Sequence, residues 1–167
     1  MTFIINQIIS SEAASIKKIG EILAFLKKDY PDFFAWYNNK VVPGLNAEQR
    51  QIYIATPENR IDEIAGVIIL KDDGFEKKIC TLYVFEKYRR QGVGSMFIEL
   101  AINILGTKLP MITVSDSNKE EFVDLLAKYG FEYYQEYPSY YKNDISEHSY
   151  NGYLKANGNF NDFVVNE

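Results

Sequence analysis

Cysteine, histidine and long apolar runs are nearly missing from this chain, and each scarcity removes a class of function. Cys80 is the only cysteine among 167 residues, which excludes an internal disulfide, a Cys-x-x-Cys redox pair and a cysteine-rich zinc site. It lies in an apolar run and reads as a small core residue in a reducing, intracellular setting. His148, the only histidine, falls in a polar late segment and is expected as a strand or surface residue, not a catalytic base. No stretch of about 18 apolar residues is present, and "MTFIINQIISSEAAS" has neither the basic start nor the apolar stretch of a secretory signal. The expectation is a cytoplasmic protein without a membrane segment. Basic residues are outnumbered, 18 Lys and Arg against 23 Asp and Glu, so the surface should repel phosphate backbones; nucleic acid is disfavoured and cationic partners are favoured. No metal site is expected, because Asp72-Asp73-Gly74 is a turn signal.

What remains is apolar and aromatic. With 47% hydrophobic and 15% aromatic residues, the chain can bury one substantial core, so residues 1–167 are expected to form a single domain with about 155–167 as a loose tail. "TFIINQII" reads as a strand, and Ser10-Ser11 as a cap for a helix whose Ile16, Ile19, Leu23 and Leu26 form one stripe. "DFFAWYNNKV" predicts a second short helix before a turn at Pro43-Gly44. "RQIYIAT", "EIAGVIIL" and "KKICTLYV" then suit an antiparallel meander. Val93, Met96, Phe97, Leu100, Ala101, Ile104 and Leu105 mark a helix ending near Gly106. "MITVS" is a further strand, followed by a helix opened by a Ser117-x-x-Glu120 capping box and closed at Gly130. "FEYYQEY" and "HSYNGYL" read as late strands with "PSYYKNDISE" as a loop between them. The pattern predicts an α/β domain with a mixed sheet, mostly antiparallel in its first half.

"YRRQGVGS", residues 88–95, is the basic spot in this acidic chain. It joins a strand to a helix, where unpaired backbone N–H groups and the helix dipole attract anions. Gly92 and Gly94 let a phosphate approach the backbone closely, and Arg89 and Arg90 supply charged donors. A pyrophosphate suits the arrangement. No Walker A string exists. A dinucleotide fingerprint fits in part: Phe97 replaces its last glycine, while Asp116 ends the next strand about 20 residues on. That partial fit keeps nucleotide-dependent redox or methyl transfer open.

The string "RRQGVG" also matches Arg/Gln-x-x-Gly-x-Gly/Ala, and the chain thereby resembles the GNAT N-acetyltransferases. "ICTLYVFEKYRRQGVGSMFIELA" is similar to that family's fourth strand, loop and third helix, and "LLAKYGFEYYQEY" to its later Tyr-Glu-Lys-Leu-Gly-Phe helix end and next strand. The resemblance spans residue 3 to about 154. It implies a mixed sheet of about seven strands flanked by about four helices, with acetyl-CoA as donor. Arg89, Arg90, Gln91, Gly92, Val93, Gly94 and Ser95 would cradle the pyrophosphate. Leu82 and Val84 would pair their backbones with the pantetheine arm, in a gap where "ICTLYV" and "MITVS" splay apart.

The implied reaction is direct attack of a primary amine in a ternary complex. Aligning Gly130-Phe131 puts Leu126 where many relatives have their acid tyrosine, so Tyr140 or Tyr141 in the late loop becomes the candidate acid. No carboxylate stands on "KKICTLYV"; proton removal would run through water to Glu76, Asp116 or solvent. Asn118 reads as structural beside the capping box, and "FFAWY" as core or acceptor-pocket lining. A small-molecule or peptide amine is the expected acceptor, on a monomer or homodimer. The rivals are a non-catalytic acyl-CoA sensor, suggested by Leu126, and a toxin-type enzyme acting on aminoacyl-tRNA.

Overall fold

Alternation along the third strand decides which helices lie on which side of the sheet. The computed structural model describes residues 1–155; the tail expected at 155–167 lies, from residue 156 on, outside them. Seven strands form one sheet in the order β1-β2-β3-β4-β5-β7-β6: β1 (Phe3–Ile8), β2 (Arg50–Pro57), β3 (Gly66–Asp72), β4 (Lys77–Val84), β5 (Met111–Ser115), β6 (Tyr133–Lys142) and β7 (Ile145–Tyr150). The strands β1 to β4 run as an antiparallel meander. The pairing of β4 with β5 is parallel, and β5, β7 and β6 are again antiparallel neighbours.

Side chains of a strand point alternately to opposite faces, so the apolar β3 must be covered twice. Ile68 and Leu70 join Phe97, Ala101, Leu105, Leu126 and Phe131 on one face. Val67 and Ile69 join Ile19, Leu23, Phe33, Trp36 and Tyr37 on the other. The first face is covered by α4 (Val93–Leu105) and α5 (Lys119–Lys128), the second by α1 (Ala13–Ile22) and the run α2 (Phe33–Trp36) to α3 (Val42–Asn46). Helix α4 approaches the sheet closely at Gly66, where a Cβ would stand 2.8 Å from Phe97 Cε2 and 2.7 Å from Tyr83 O.

Four local expectations are corrected. Pro43-Gly44 is not a turn: a π-helical segment, Tyr37–Val41, leads directly into α3 with Pro43 in its first turn, just after the wider π turn interrupts the regular hydrogen-bond ladder. Ser10 and Ser11 do not cap α1; Glu12 is its N-cap and its carboxylate accepts from Ile9 N at 2.7 Å. The Ser117 box does not form either, since Asn118 is the N-cap of α5 and the Ser117 hydroxyl donates to Asp29 Oδ1 at 3.3 Å. Finally, "PSYYKNDISE" is mostly strand: β6 runs to Lys142 and β7 starts at Ile145, with Ser139 and Asp144 at positive φ taking up the irregular register. Lys142 pairs with Ile145 across the turn, and the Tyr141 ring packs on Tyr140 and on Tyr30, contacts that a free loop would not hold.

Candidate functional site

The gap between β4 and β5 organises the site. The two strands pair only at Lys78–Met111 and Ile79–Ile112, and beyond that they diverge around a cleft of about 470 Å³. Ile79 to Val84 form one wall and Ile112, Thr113 and Val114 the other; Arg89, Arg90, Gly92, Gly94 and Ser95 close one end, and Leu26 and Tyr30 line it from the α1 side. Phe85 N donates to Ala65 O at 2.9 Å. In an antiparallel pair this bond fixes the alternation: Thr81 and Tyr83 turn their backbone groups to β3, and Leu82 and Val84 turn theirs into the gap. The sequence-predicted pair therefore presents a strand edge to the gap, on which Val84 O also takes a bond from Arg89 Nε.

At the closed end, the loop after β4 makes a 3-10 turn, Glu86–Tyr88, and enters α4 through Gly92 at φ 92°. Arg90 also has positive φ, 59°, so the backbone coils tightly before the helix and successive N–H groups can converge. No side chain caps α4, which leaves its first N–H groups and the positive end of its dipole facing the cleft. A Cβ at Gly92 would meet nothing within 4 Å; its value lies in the left-handed φ, which costs other residues about 1 kcal/mol or more.

The side chains of the predicted cradle have separate tasks. Arg89 Nε donates to Val84 O at 3.0 Å, its Nη1 to Glu121 Oε1 at 2.8 Å, and its guanidinium lies 5.7 Å from the Tyr83 ring centre. It clamps the loop between β4 and α5. Arg90 is exposed at the cleft rim. Gln91 donates to Lys87 O at 3.0 Å, Val93 is buried in the core, and the Ser95 hydroxyl accepts from Lys128 Nζ at 3.0 Å. Beneath the loop, Glu63 accepts hydrogen bonds from Lys87 and Tyr88, which hold its carboxyl down at about 2.

The opposite end is assembled from distant segments. Tyr30 OH donates to Glu147 Oε1 at 3.0 Å and approaches Oε2 at 3.3 Å. Glu147 is 2% exposed on β7; burial pushes its carboxyl up to about 7, against the hydrogen bonds of Thr113 and Tyr30 and the charge of Lys78, with Asp29 pushing the same way as burial. The Tyr141 ring packs edge-on to Tyr30 at 5.3 Å, and Tyr140 stacks edge-on to Tyr141 at 4.7 Å while its hydroxyl donates to Lys155 O at 2.7 Å. Lys142 Nζ donates to Lys28 O at 2.5 Å, so the β6–β7 hairpin is tied to the segment before α2. Tyr141 thus abuts the cleft lining, and Tyr140 is directed away along the hairpin.

Of the remaining candidates, Glu76, Asp116 and His148 are not among the cleft lining. Glu76 pairs with Lys71 at 2.7 Å in a separate polar hollow lined by Arg50 and Asp73. Asp116 Oδ1 stands 2.5 Å from His148 Nε2, and His148 Nδ1 is 3.0 Å from Tyr133 OH; Asp116, Glu136 and His148 place potential ligand atoms within 4.8 Å of one another. The bond from His148 is the main cause holding the Asp116 carboxyl low. His148 is a buried strand residue, not a surface one. Asn118 lines the cleft and its side chain donates to Ser115 Oγ at 3.3 Å. Cys80 is buried, Phe33, Trp36 and Tyr37 are core, and Leu126 is 1% exposed among core residues. Tyr30, Thr113 and Glu147 escaped the sequence reading. The one signal available was a carboxylate at an alternating position in "ISEHSY", and that does not disclose which face is buried.

The chain matches the acetyltransferase (GNAT) family over residues 14–131. It belongs to that family. No curated protein matches it by sequence. Among solved structures, the ribosomal-protein-S18-alanine N-acetyltransferase of Escherichia coli is 15% identical, with 95% of this chain and 100% of that one covered at a TM-score of 0.62. The spermidine N-acetyltransferase of Vibrio cholerae, solved with CoA and spermine, is 9% identical over 89% and 93% of the two chains at 0.61. Both show the fold. A Bacillus anthracis protein solved with acetyl coenzyme A is 25% identical over 64% of each chain, at a TM-score of 0.53. Among the described residues no helix is long and apolar enough to cross a membrane.

Proposed function

We propose that this protein is an N-acetyltransferase that moves the acetyl group of acetyl-CoA to a primary amine by direct attack. The observation that carries the reading is the edge of β4 that faces the gap and leads to the uncapped N-terminus of α4. A strand edge can take an amide-bearing arm as an added strand, and an uncapped helix end takes a pyrophosphate. The residues present fit the donor, and the Bacillus anthracis relative bound to acetyl coenzyme A supports the same assignment.

In this reading the N–H groups from Gly92 to Ser95 hold the pyrophosphate, Arg90 adds charge at the rim, and Arg89 keeps the loop in place. Leu82 and Val84 would hold the arm in the gap that Thr81 and Thr113 also line. Acetyl-CoA supplies an activated carbonyl with a good leaving group. The acceptor enters between the α1–α2 segment and the β6–β7 hairpin. There Glu147 and Asp29 favour a cation, in keeping with a net charge of -5 and with the spermidine named for the Vibrio cholerae enzyme. Tyr141 is favoured over Tyr140 as donor to the departing thiolate, because it packs on the lining residue Tyr30.

Calorimetric titration with acetyl-CoA, CoA and NAD tests the donor. Micromolar acetyl-CoA binding, absent for NAD and lost in Gly92→Glu, is expected; NAD binding in its place would return the site to a dinucleotide. The buried Leu126 favours a second reading, an acyl-CoA-binding module without turnover. Tight acetyl-CoA binding with no acetylation of any amine in a broad panel would establish it.

A further inference from the structure

Glu147 is the one buried carboxylate whose hydrogen-bond partners line the cleft, among the described residues. It sits on β7 opposite Ser115 of β5 and Tyr137 of β6, on the strand face opposite to its neighbour His148. Tyr30 OH reaches both of its oxygens, at 3.0 and 3.3 Å, and Thr113 bonds to it as well. Tyr30 and Thr113 are themselves lining residues, facing each other from the α1 side and from β5. Burying a carboxylate costs several kcal/mol unless it is well paired, and a purely structural strand position would be filled more favourably by an apolar residue. The groups acting on it come from three sides: Lys78 from β4, Thr113 from β5, Tyr30 and Asp29 from the segment before α2.

We propose, building on the acetyltransferase reading above, that Tyr30 and Glu147 form a proton relay at the acceptor end of the cleft. The Tyr30 oxygen accepts a proton from the substrate ammonium while its own hydroxyl proton passes to the Glu147 carboxylate. A hydroxyl that donates one hydrogen bond keeps acceptor capacity, so Tyr30 can be an acceptor toward the amine and a donor toward Glu147 at the same time. The freed nitrogen lone pair then forms the N–C bond, the C–S bond breaks with its electron pair on sulphur, and the nitrogen sheds its second proton. One proton returns to the thiolate and one leaves to solvent. Tyr30 touches the reacting amine; Glu147 acts through it. The carboxyl titrating at about 7 suits this task, because a base poised near working pH combines availability with driving force.

Two measurements test the relay. The first is carbon NMR of protein labelled at the glutamate carboxyl carbon, titrated from pH 4 to 9, with Glu147→Gln assigning the resonance. A midpoint near 7 that moves in Tyr30→Phe is expected, and an ordinary carboxylate midpoint unaffected by Tyr30→Phe overturns the pairing. The second is kcat/KM against pH with spermidine and a lysine-containing peptide as probe amines, alongside acetyl-CoA titrations of each variant. Wild type should rise with pH to a plateau above about 7. Glu147→Gln and Tyr30→Phe should each lose about 100-fold at neutral pH, within the usual range for general-base removal, keep acetyl-CoA affinity, and go on rising with pH as the free amine fraction grows. Wild-type turnover with an unchanged profile in both variants overturns the relay alone. Acetyl-CoA binding without turnover of any amine overturns the acetyltransferase reading, and the relay with it. Tyr30→Phe, at a half-buried position, keeps the test open should the Gln variant not fold.

Discussion

The two ends of the cleft are built by opposite means. The α4 end is local: eight consecutive residues make the turn, the left-handed glycine and the helix start, and backbone N–H groups do the binding. The acceptor end is made by side chains, with Tyr30 and Glu147 117 positions apart and Tyr141 arriving from a third segment. A backbone cradle tolerates many side chains and depends on a few φ values. A side-chain constellation tolerates backbone drift poorly and depends on each functional group. Substitutions should therefore separate donor binding from chemistry.

The sharpest separation sets Gly92→Glu against Glu147→Gln. The first places a strained, anionic residue at φ 92° where the pyrophosphate is proposed to bind, and acetyl-CoA affinity should fall by about 100-fold or more. The second should leave that affinity within about two-fold while turnover collapses, since the two sites share no partner. Equal losses of affinity in both variants, measured by calorimetry, would mean that the ends are not independent.

Leu126 breaks the comparison from the core side. It is 1% exposed, so Leu126→Ala should cost about 2–5 kcal/mol in denaturant unfolding. Leu126→Tyr should cost about 1–3 kcal/mol through overpacking without raising kcat. A gain in kcat on restoring tyrosine would show that the acid belongs on α5 after all.

Glu147 also leaves a mark on stability. Its folded pKa, about 7, lies above the ordinary 4.5, so the folded state holds the proton more tightly. Below pH 4.5 both states are protonated and nothing is lost; as pH rises through 7 the folded state must ionise a buried group. Wild type should lose up to about 3 kcal/mol across that window, and Glu147→Gln should show a correspondingly flatter stability profile. Equal slopes between pH 5 and 8 in thermal or denaturant melts would place the carboxylate in a solvated environment.

How far the sequence could be read follows the same division. The eight residues of YRRQGVGS, the helix stripe from Val93 to Leu105 closed by Gly106, and the three meander strands are short-range patterns, and the structure places them where periodicity and turn chemistry put them. The splay of β4 from β5 was foreseen only through family resemblance, because strand separation leaves no local pattern. The errors lie where tertiary partners outbid local ones. Ser117 turns to Asp29, 88 positions away, and no capping box forms; the run 138–142 stays in extended strand to Lys142, which pairs with Ile145 after an irregular stretch, and does not loop. Tyr30 and Glu147 were invisible for the same reason: their meaning is a contact that only the fold creates.

The smallest effect concerns Arg89, where clamp and ligand readings part. Its guanidinium is held by Val84 O and Glu121, and the ion pair is half-exposed on both sides, at 36% and 50%, so solvent screens it to well under 1 kcal/mol of stability. If Arg89 is a clamp, Arg89→Gln should weaken acetyl-CoA binding about 3- to 10-fold by loosening the loop, and Glu121→Gln should change it by no more than about two-fold. If Arg89 is a direct phosphate ligand that Glu121 holds back, Glu121→Gln should tighten binding while Arg89→Gln loses far more than ten-fold. The sign of the Glu121→Gln effect decides between them, and the clamp geometry predicts a change near zero.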